Sequence, residues 1–291
     1  MNNELESQLS HFLKRISPLL PASEEDIDWN NIAFRWQRRH YLGLAAGQLT
    51  PIARVALMDP ENIRNTERQK EILFKNTEQF VRGLPCNNAL LTGARGTGKS
   101  SLIRAALTRY APEGLRLIEV NKYDLGDLGE IARIVGTRPE RFIVFCDDLS
   151  FNMGENGYAE LKAVLDGSIS AASDNMLIYA TSNLRHLMPE KMSDNMDATY
   201  DENGDLHPAE RVEEQLSLSE RFGIWLSFYP FTQDEYLDIA AGWTKHLGCE
   251  PLGTEWKLEA LKFALQRGSR SGRVAYQFAK DWVGKKALEN K

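Results

Sequence analysis

"GARGTGKS", residues 93–100, decides how the rest of the chain is read. The octet fits the spacing G-x-x-x-x-G-K-[S/T]; it ends the apolar run "NALLTG" (88–93) and leads into the amphipathic run "SLIRAALTRY" (101–110). Strand, glycine loop and helix in that order have a chemical use. Gly93, Gly96 and Gly98 let the backbone bend until its N–H groups face inward at a helix N-terminus, where the dipole favours anions. Lys99 is then placed to reach the β- and γ-phosphates of a nucleotide, and the Ser100 hydroxyl to ligate Mg²⁺. Gly93, Ala94, Arg95, Gly96, Thr97, Gly98, Lys99, Ser100 and the following Ser101 are the candidate nucleotide-binding residues.

A second stretch, "FCDDLSF" (145–151), ends another apolar run in two adjacent aspartates. At roughly 6 Å and an effective dielectric of about 20, their carboxylates repel by about 3 kcal/mol. A cation resolves the difficulty. Asp147 stands where phosphate-loop enzymes keep the acid that holds Mg²⁺, often through water. Asp148 is the candidate to polarise an attacking water. The plain alternative for both is a solvated turn or a helix cap.

Around these stretches the candidate strands are 88–93, 115–120, 141–146, 175–182 and 224–229, several of them apolar almost throughout. Strands of that kind, separated by helical segments, indicate a largely parallel sheet covered on both faces. Residues 1 to about 60 read as an irregular, mostly helical extension. From about 231 the pattern changes: Thr232 and Glu235 form a capping-box signal, and Val274, Phe278 and Trp282 recur at helical spacing. The expected units are therefore 1–60, 61–230 and 231–291.

Three more polar residues are singled out. Asn183 ends "LIYATSN" and is a candidate partner for a γ-phosphate or the attacking water. Arg221 in "SLSERFG" is either a helix-terminal arginine complementing the dipole or an arginine finger for a neighbour's nucleotide. Arg270 and Arg273 open the last helix, where the dipole disfavours cations and an anionic ligand would offset the cost.

Composition narrows the class. The 291 residues carry 35 Lys+Arg against 41 Asp+Glu, a net charge of −6 that argues against bulk nucleic-acid binding. The N-terminal stretch does not read as a signal peptide, no run approaches the length of a membrane helix, and Cys86, Cys146 and Cys249 lack metal or disulfide spacing. A cytoplasmic protein with no membrane segment is expected.

In this order the motifs resemble the AAA+ ATPases over about residues 60–285. "NTEQF", "FCDDLSF", "ATSNLRHL", "LSERFGIWLSFYPF" and "SGR" resemble a bacterial branch of predicted ATPases of unknown function. The resemblance implies a P-loop α/β domain with a parallel sheet flanked by helices and a C-terminal helical lid, with ATP and Mg²⁺ between them. By the same resemblance Ile63 is a candidate adenine contact, Arg273 a second sensor, and Arg221 a residue acting across subunits of an ATP-bound homo-oligomer. Most members carry Glu as the second acid; Asp148 is shorter, which implies slow or partner-stimulated turnover. The implied function is an ATP hydrolase that remodels a macromolecular partner. The alternatives are a DNA-linked loader and an ATP-gated scaffold with little hydrolysis.

Other stretches are weaker. "AFRWQRRHYL" (33–42) mixes arginines with aromatics, a pattern of single-strand binding, but reads better as a helix or linker with packed aromatics. Residues 267–291 hold seven Lys/Arg against two Asp/Glu, so nucleic acid stays open as a partner beside an unidentified protein. "TYDENGDLHPAE" (199–210) approaches a calcium loop, yet Thr199 replaces its first acid, and Asn203-Gly204 more simply makes a hairpin turn.

Overall fold

The structure, a computed structural model, describes residues 27–41, 44–150, 157–166, 174–184, 199–200, 206–207, 220–251 and 253–289. The helical reading of residues 1–26 lies outside them, as do most of the calcium-like stretch and the start of the Arg221 segment.

Among the described residues the strands β1 (Ala33–Tyr41), β2 (Leu44–Pro51), β3 (Ala89–Gly93), β4 (Leu115–Glu119), β5 (Arg141–Cys146), β6 (Met176–Ser182) and β9 (Ile224–Phe228) form one sheet. Its order is β2-β1-β4-β5-β6-β3-β9, parallel throughout except for β2, which runs antiparallel to β1. Two short strands, β7 (Thr199–Tyr200) and β8 (Leu206–His207), pair antiparallel apart from it, as the hairpin reading of that stretch expects. The helices between the large strands are α1 (Glu67–Val81), α2 (Lys99–Tyr110), α3 (Leu128–Val135) and α4 (Gly157–Leu165).

Residues alternate across the central strands and feed two cores. Phe142, Val144 and Cys146 of β5 join Ile178 and Ala180 of β6 on one face, whereas Ile143, Phe145 and Tyr179 join the other. Both faces are thus covered, which is why these strands are apolar at nearly every position.

The sheet corrects the expected mostly helical N-terminal extension over residues 33–51. Phe34 and Trp36 are buried at alternate positions of β1, Arg35 between them is exposed, and the strand extends the sheet beyond β4. The period is two, which a helix does not satisfy. Two of the three arginines are matched within the fold: Arg35 pairs with Glu119 at 2.7 Å, and Arg38 donates to both Asp127 oxygens at 2.6 and 2.5 Å. Phe34 and Trp36 are packed, as the plainer reading had its aromatics.

The C-terminal helices are α5 (Gln233–His246), α6 (Gly253–Arg267) and α7 (Gly272–Glu289). Helix α5 starts in the anticipated capping box, with Thr232 Oγ1 accepting from the Glu235 N–H and the Glu235 carboxylate accepting from the Thr232 N–H. Tyr236, Ala240, Trp256, Val274 and Phe278 make an apolar cluster of their own, with Trp282 against it. Among the described residues, no helix is long and apolar enough to cross a membrane.

Candidate functional site

Parallel strands bring their C-terminal ends to one edge of the sheet, and neighbouring β3, β5 and β6 end together there. The loop after β3 depends on its glycines. A Cβ on Gly93 would lie 1.9 Å from the Phe228 carbonyl oxygen, so the residue lets β3 and β9 close up at their ends. Gly96 and Gly98 have φ of 74° and 99°, the left-handed region that lets the loop turn into α2.

Lys99, in the first turn of α2, is 6% exposed. Its ammonium donates to Gly93 O at 2.6 Å, Ala94 O at 2.7 Å and Asn183 Oδ1 at 3.1 Å, three uncharged acceptors. Burial holds its pKa below the ordinary 10.5, against the opposing pull of Asp147 and Asp148. A buried ammonium without a bonded counter-charge, at a helix N-terminus, fits an anion.

Ser100 Oγ donates to Asp147 Oδ1 at 2.6 Å, and Thr181 Oγ1 donates to the same oxygen at 2.6 Å. These are hard oxygen donors, the set a magnesium ion takes. Among the described residues, no three His, Cys, Asp or Glu cluster as an alternative metal site. Asp148 turns away from its neighbour with φ at 53°, and its N–H donates to Thr181 Oγ1 at 3.0 Å. Its carboxylate accepts from Asn183 Nδ2 and lies 3.8 Å from Arg95 Nη2. The paired acids therefore face different partners. Lys99 has only protons to offer, so the Asn183 Oδ1 must face it and the amide nitrogen faces Asp148.

The helical region closes over this edge. Gly272 N–H donates to Gly96 O at 2.8 Å, and a Cβ on Gly96 would lie 2.7 Å from Ser271 Cβ. Between the two layers runs a cleft of about 780 Å³. Its lining includes Arg95 to Ser101, Asp147, Asp148, Asn183, Ile63 and Arg273, so most of the residues singled out from sequence come together. Arg221 does not: its Nε donates to Asp166, just beyond α4, and it is not part of the cleft lining. Gly93 and Ala94 serve the site through the carbonyls that hold Lys99.

Sequence reading missed Thr181, which ties Asp147 to the backbone of Asp148. The only signal was the run of hydroxyls in "LIYATSN". It also missed Trp243, His246 and Tyr276 on the cleft's far wall, with the Trp243 and Tyr276 rings 4.7 Å apart.

A family profile described as "Protein of unknown function (DUF815)" matches residues 29–286. No curated protein matches the chain. Among solved structures, a single-substitution mutant of RuvB from Thermotoga maritima aligns with a TM-score of 0.51 at 16% identity, covering 75% of this chain and 62% of that one. The RuvB Holliday junction branch migration motor of the same organism reaches 0.47 at 18% identity, over 74% and 60%. The ORC1 protein of Aeropyrum pernix in complex with DNA reaches 0.42 at 16% identity, over 75% and 65%. The chain spans less than two thirds of the length of each. The first likeness shows a shared fold and no more; the other two carry no argument.

Proposed function

The chain belongs to the DUF815 family, whose description names no activity, and from its site we propose that it is an ATPase that binds Mg-ATP in this cleft. One observation carries the reading: Lys99, buried at the start of α2, has three uncharged acceptors and a lowered pKa. A phosphate group supplies the charge that this arrangement lacks.

Lys99 binds the outer phosphates, with the N–H groups of residues 94–101 around them. Ser100 and Asp147 hold magnesium, which neutralises charge on the phosphate oxygens. Asp148 accepts a proton from the attacking water, and Asn183 orients it. Arg273 faces the phosphates from the lid side, and Ile63 contacts the base. Arg221, paired away from the cleft, acts on a neighbouring subunit's nucleotide, so assembly completes the site. The energy of turnover is coupled to remodelling of a macromolecular partner.

Phosphate release, followed as protein concentration is raised under saturating Mg-ATP, tests this reading. Turnover per chain should climb with concentration and fall sharply in Arg221→Ala. Asp148→Asn should retain ATP binding and lose hydrolysis; wild-type turnover in that variant would reject the assignment of Asp148.

A further inference from the structure

The segment between the β1–β2 hairpin and α1 carries Ile63 into the cleft, where it is 6% exposed. Short of α1 the chain makes a single turn, Pro60–Asn62, started by Asp59 accepting from the Glu61 N–H at 2.9 Å. On one side the segment is tied to α1. Lys70 Nζ donates to Pro60 O at 3.0 Å and to Ile63 O at 2.9 Å. On the other side it is tied to the lid, and the tie converges on one carboxylate. Arg64 Nη1 donates to Asp238 Oδ1 at 3.1 Å, and Asn65 Nδ2 donates to Asp238 Oδ2 at 3.0 Å. Asn65 Nδ2 also lies 3.3 Å from the Glu235 carbonyl, and Asn62 Nδ2 lies 3.3 Å from His246 Nδ1.

The local conformation is built for this contact. Asn65 has φ of 61°, which turns its side chain back toward α5 and which asparagine tolerates better than most residues. Gly242, one turn beyond Asp238 on α5, lets the Arg64 side chain lie against the helix: a Cβ there would come within 2.6 Å of Arg64 Nε. Arg64 Nε is itself buried with no hydrogen-bond partner, so its position is held by the guanidinium's grip on Asp238 and by packing.

Asp238 lies outside the cleft lining, while Ile63 and Arg64 are part of it. Among the described residues the lid is thus hydrogen-bonded to the sheet layer in two separated places. One is the Gly96–Gly272 hydrogen bond beside the phosphate loop, and the other is Asp238 with residues 62–65.

We propose that Asp238 is a positioning residue for the base-binding end of the cleft, gripping Arg64 and Asn65 so that Ile63 and helix α5 stay closed over bound nucleotide. The inference rests on the nucleotide reading above. The grip sets how fast nucleotide leaves and does not enter the chemistry. Opening the lid at this end breaks both bonds to Asp238, and the segment then keeps its ties to α1 through Lys70 and through the Asn65 N–H, which donates to Glu67 at 3.0 Å.

The test is stopped-flow release of a fluorescent ATP analogue, chased by excess ATP, from the full chain. Asp238→Ala should release roughly three- to tenfold faster, as expected for losing two exposed charge-assisted hydrogen bonds. Asn65→Gly removes the amide but keeps the left-handed backbone accessible, and should accelerate release by a similar factor. Because both act on one node, the double variant should release little faster than either single one. Turnover at saturating ATP should not fall in Asp238→Ala, which separates positioning from damage to the catalytic groups. Release at the wild-type rate in both single variants, or full additivity in the double, would overturn the inference alone. A wild-type chain that binds no nucleotide would overturn the nucleotide reading and this inference together.

Discussion

Replacing Gly96 by alanine tests how tightly lid and phosphate loop are coupled, and Gly98 provides the comparison. Both have positive φ, 74° and 99°, so alanine at either strains the bound loop by about 1–2 kcal/mol. Their surroundings differ. A Cβ at Gly98 meets nothing within 4 Å, whereas one at Gly96 falls 2.7 Å from Ser271 Cβ and 2.9 Å from its Oγ. Relief of that clash moves the start of α7 and strains or breaks the 2.8 Å Gly272 N–H to Gly96 O bond. The added penalty is about 1–3 kcal/mol, the usual cost of overpacking. If the loop relaxes when empty and is held when occupied, Gly98→Ala should weaken ATP binding by about 5- to 30-fold. Gly96→Ala should weaken it by about 30- to 5000-fold, the excess reporting the lid. Calorimetric titration with Mg-ATP measures both. Equal losses, or a larger loss at Gly98, would refute the view that the lid seats on the loop through Gly96.

Burial lowers the Lys99 pKa in the empty site, and a bound phosphate should raise it again. Binding should therefore take up a proton in the window between the lowered value and 10.5, and affinity should fall as pH rises through it. Titrations in buffers of different ionisation heat, at a series of pH values below 10.5, read this uptake directly; none at any pH would contradict the burial argument. The same shift has the opposite sign for the empty protein. There the unfolded chain binds more protons, so stability gains from Lys99 as pH rises through that window. Trp36 is 1% exposed and donates from Nε1 to Asp127 at 2.8 Å, so Trp36→Ala should cost about 3–5 kcal/mol in urea unfolding. A loss under about 1 kcal/mol would mean that β1 and β2 are peripheral to the fold.

Most of the sheet was legible because its strands are buried on both faces. "RFIVFC" and "MLIYATS" are apolar at nearly every position, and the structure has them as β5 and β6. Strand β1 was misread for the opposite reason. Its alternation of Phe34 and Trp36 with Arg35 is short, and the three arginines pulled the reading toward a solvated helix. What makes it a strand is pairing with β4, together with Glu119 and Asp127 more than eighty residues away, and no local pattern contains that. The glycine loop and the paired acids could be placed together from sequence because each follows an apolar strand at a fixed spacing, and the structure has both lining one cleft. Thr181 was not, since a buried threonine at a strand end becomes informative only once β5 and β6 are neighbours. The lid's aromatic wall pairs Trp243 with Tyr276 of another helix, and the Asp238 grip joins residues about 170 apart in sequence, so neither had a local signal.

The central claim is that Lys99 is buried to meet a phosphate. Its most direct test is equilibrium titration of Mg-ATP into the wild-type chain and into Lys99→Ala, with a melting curve to show that the variant is folded. The account predicts saturable binding by the wild type, lost in the folded variant. Binding of equal strength in both, or none by the wild type at millimolar ATP, would contradict it.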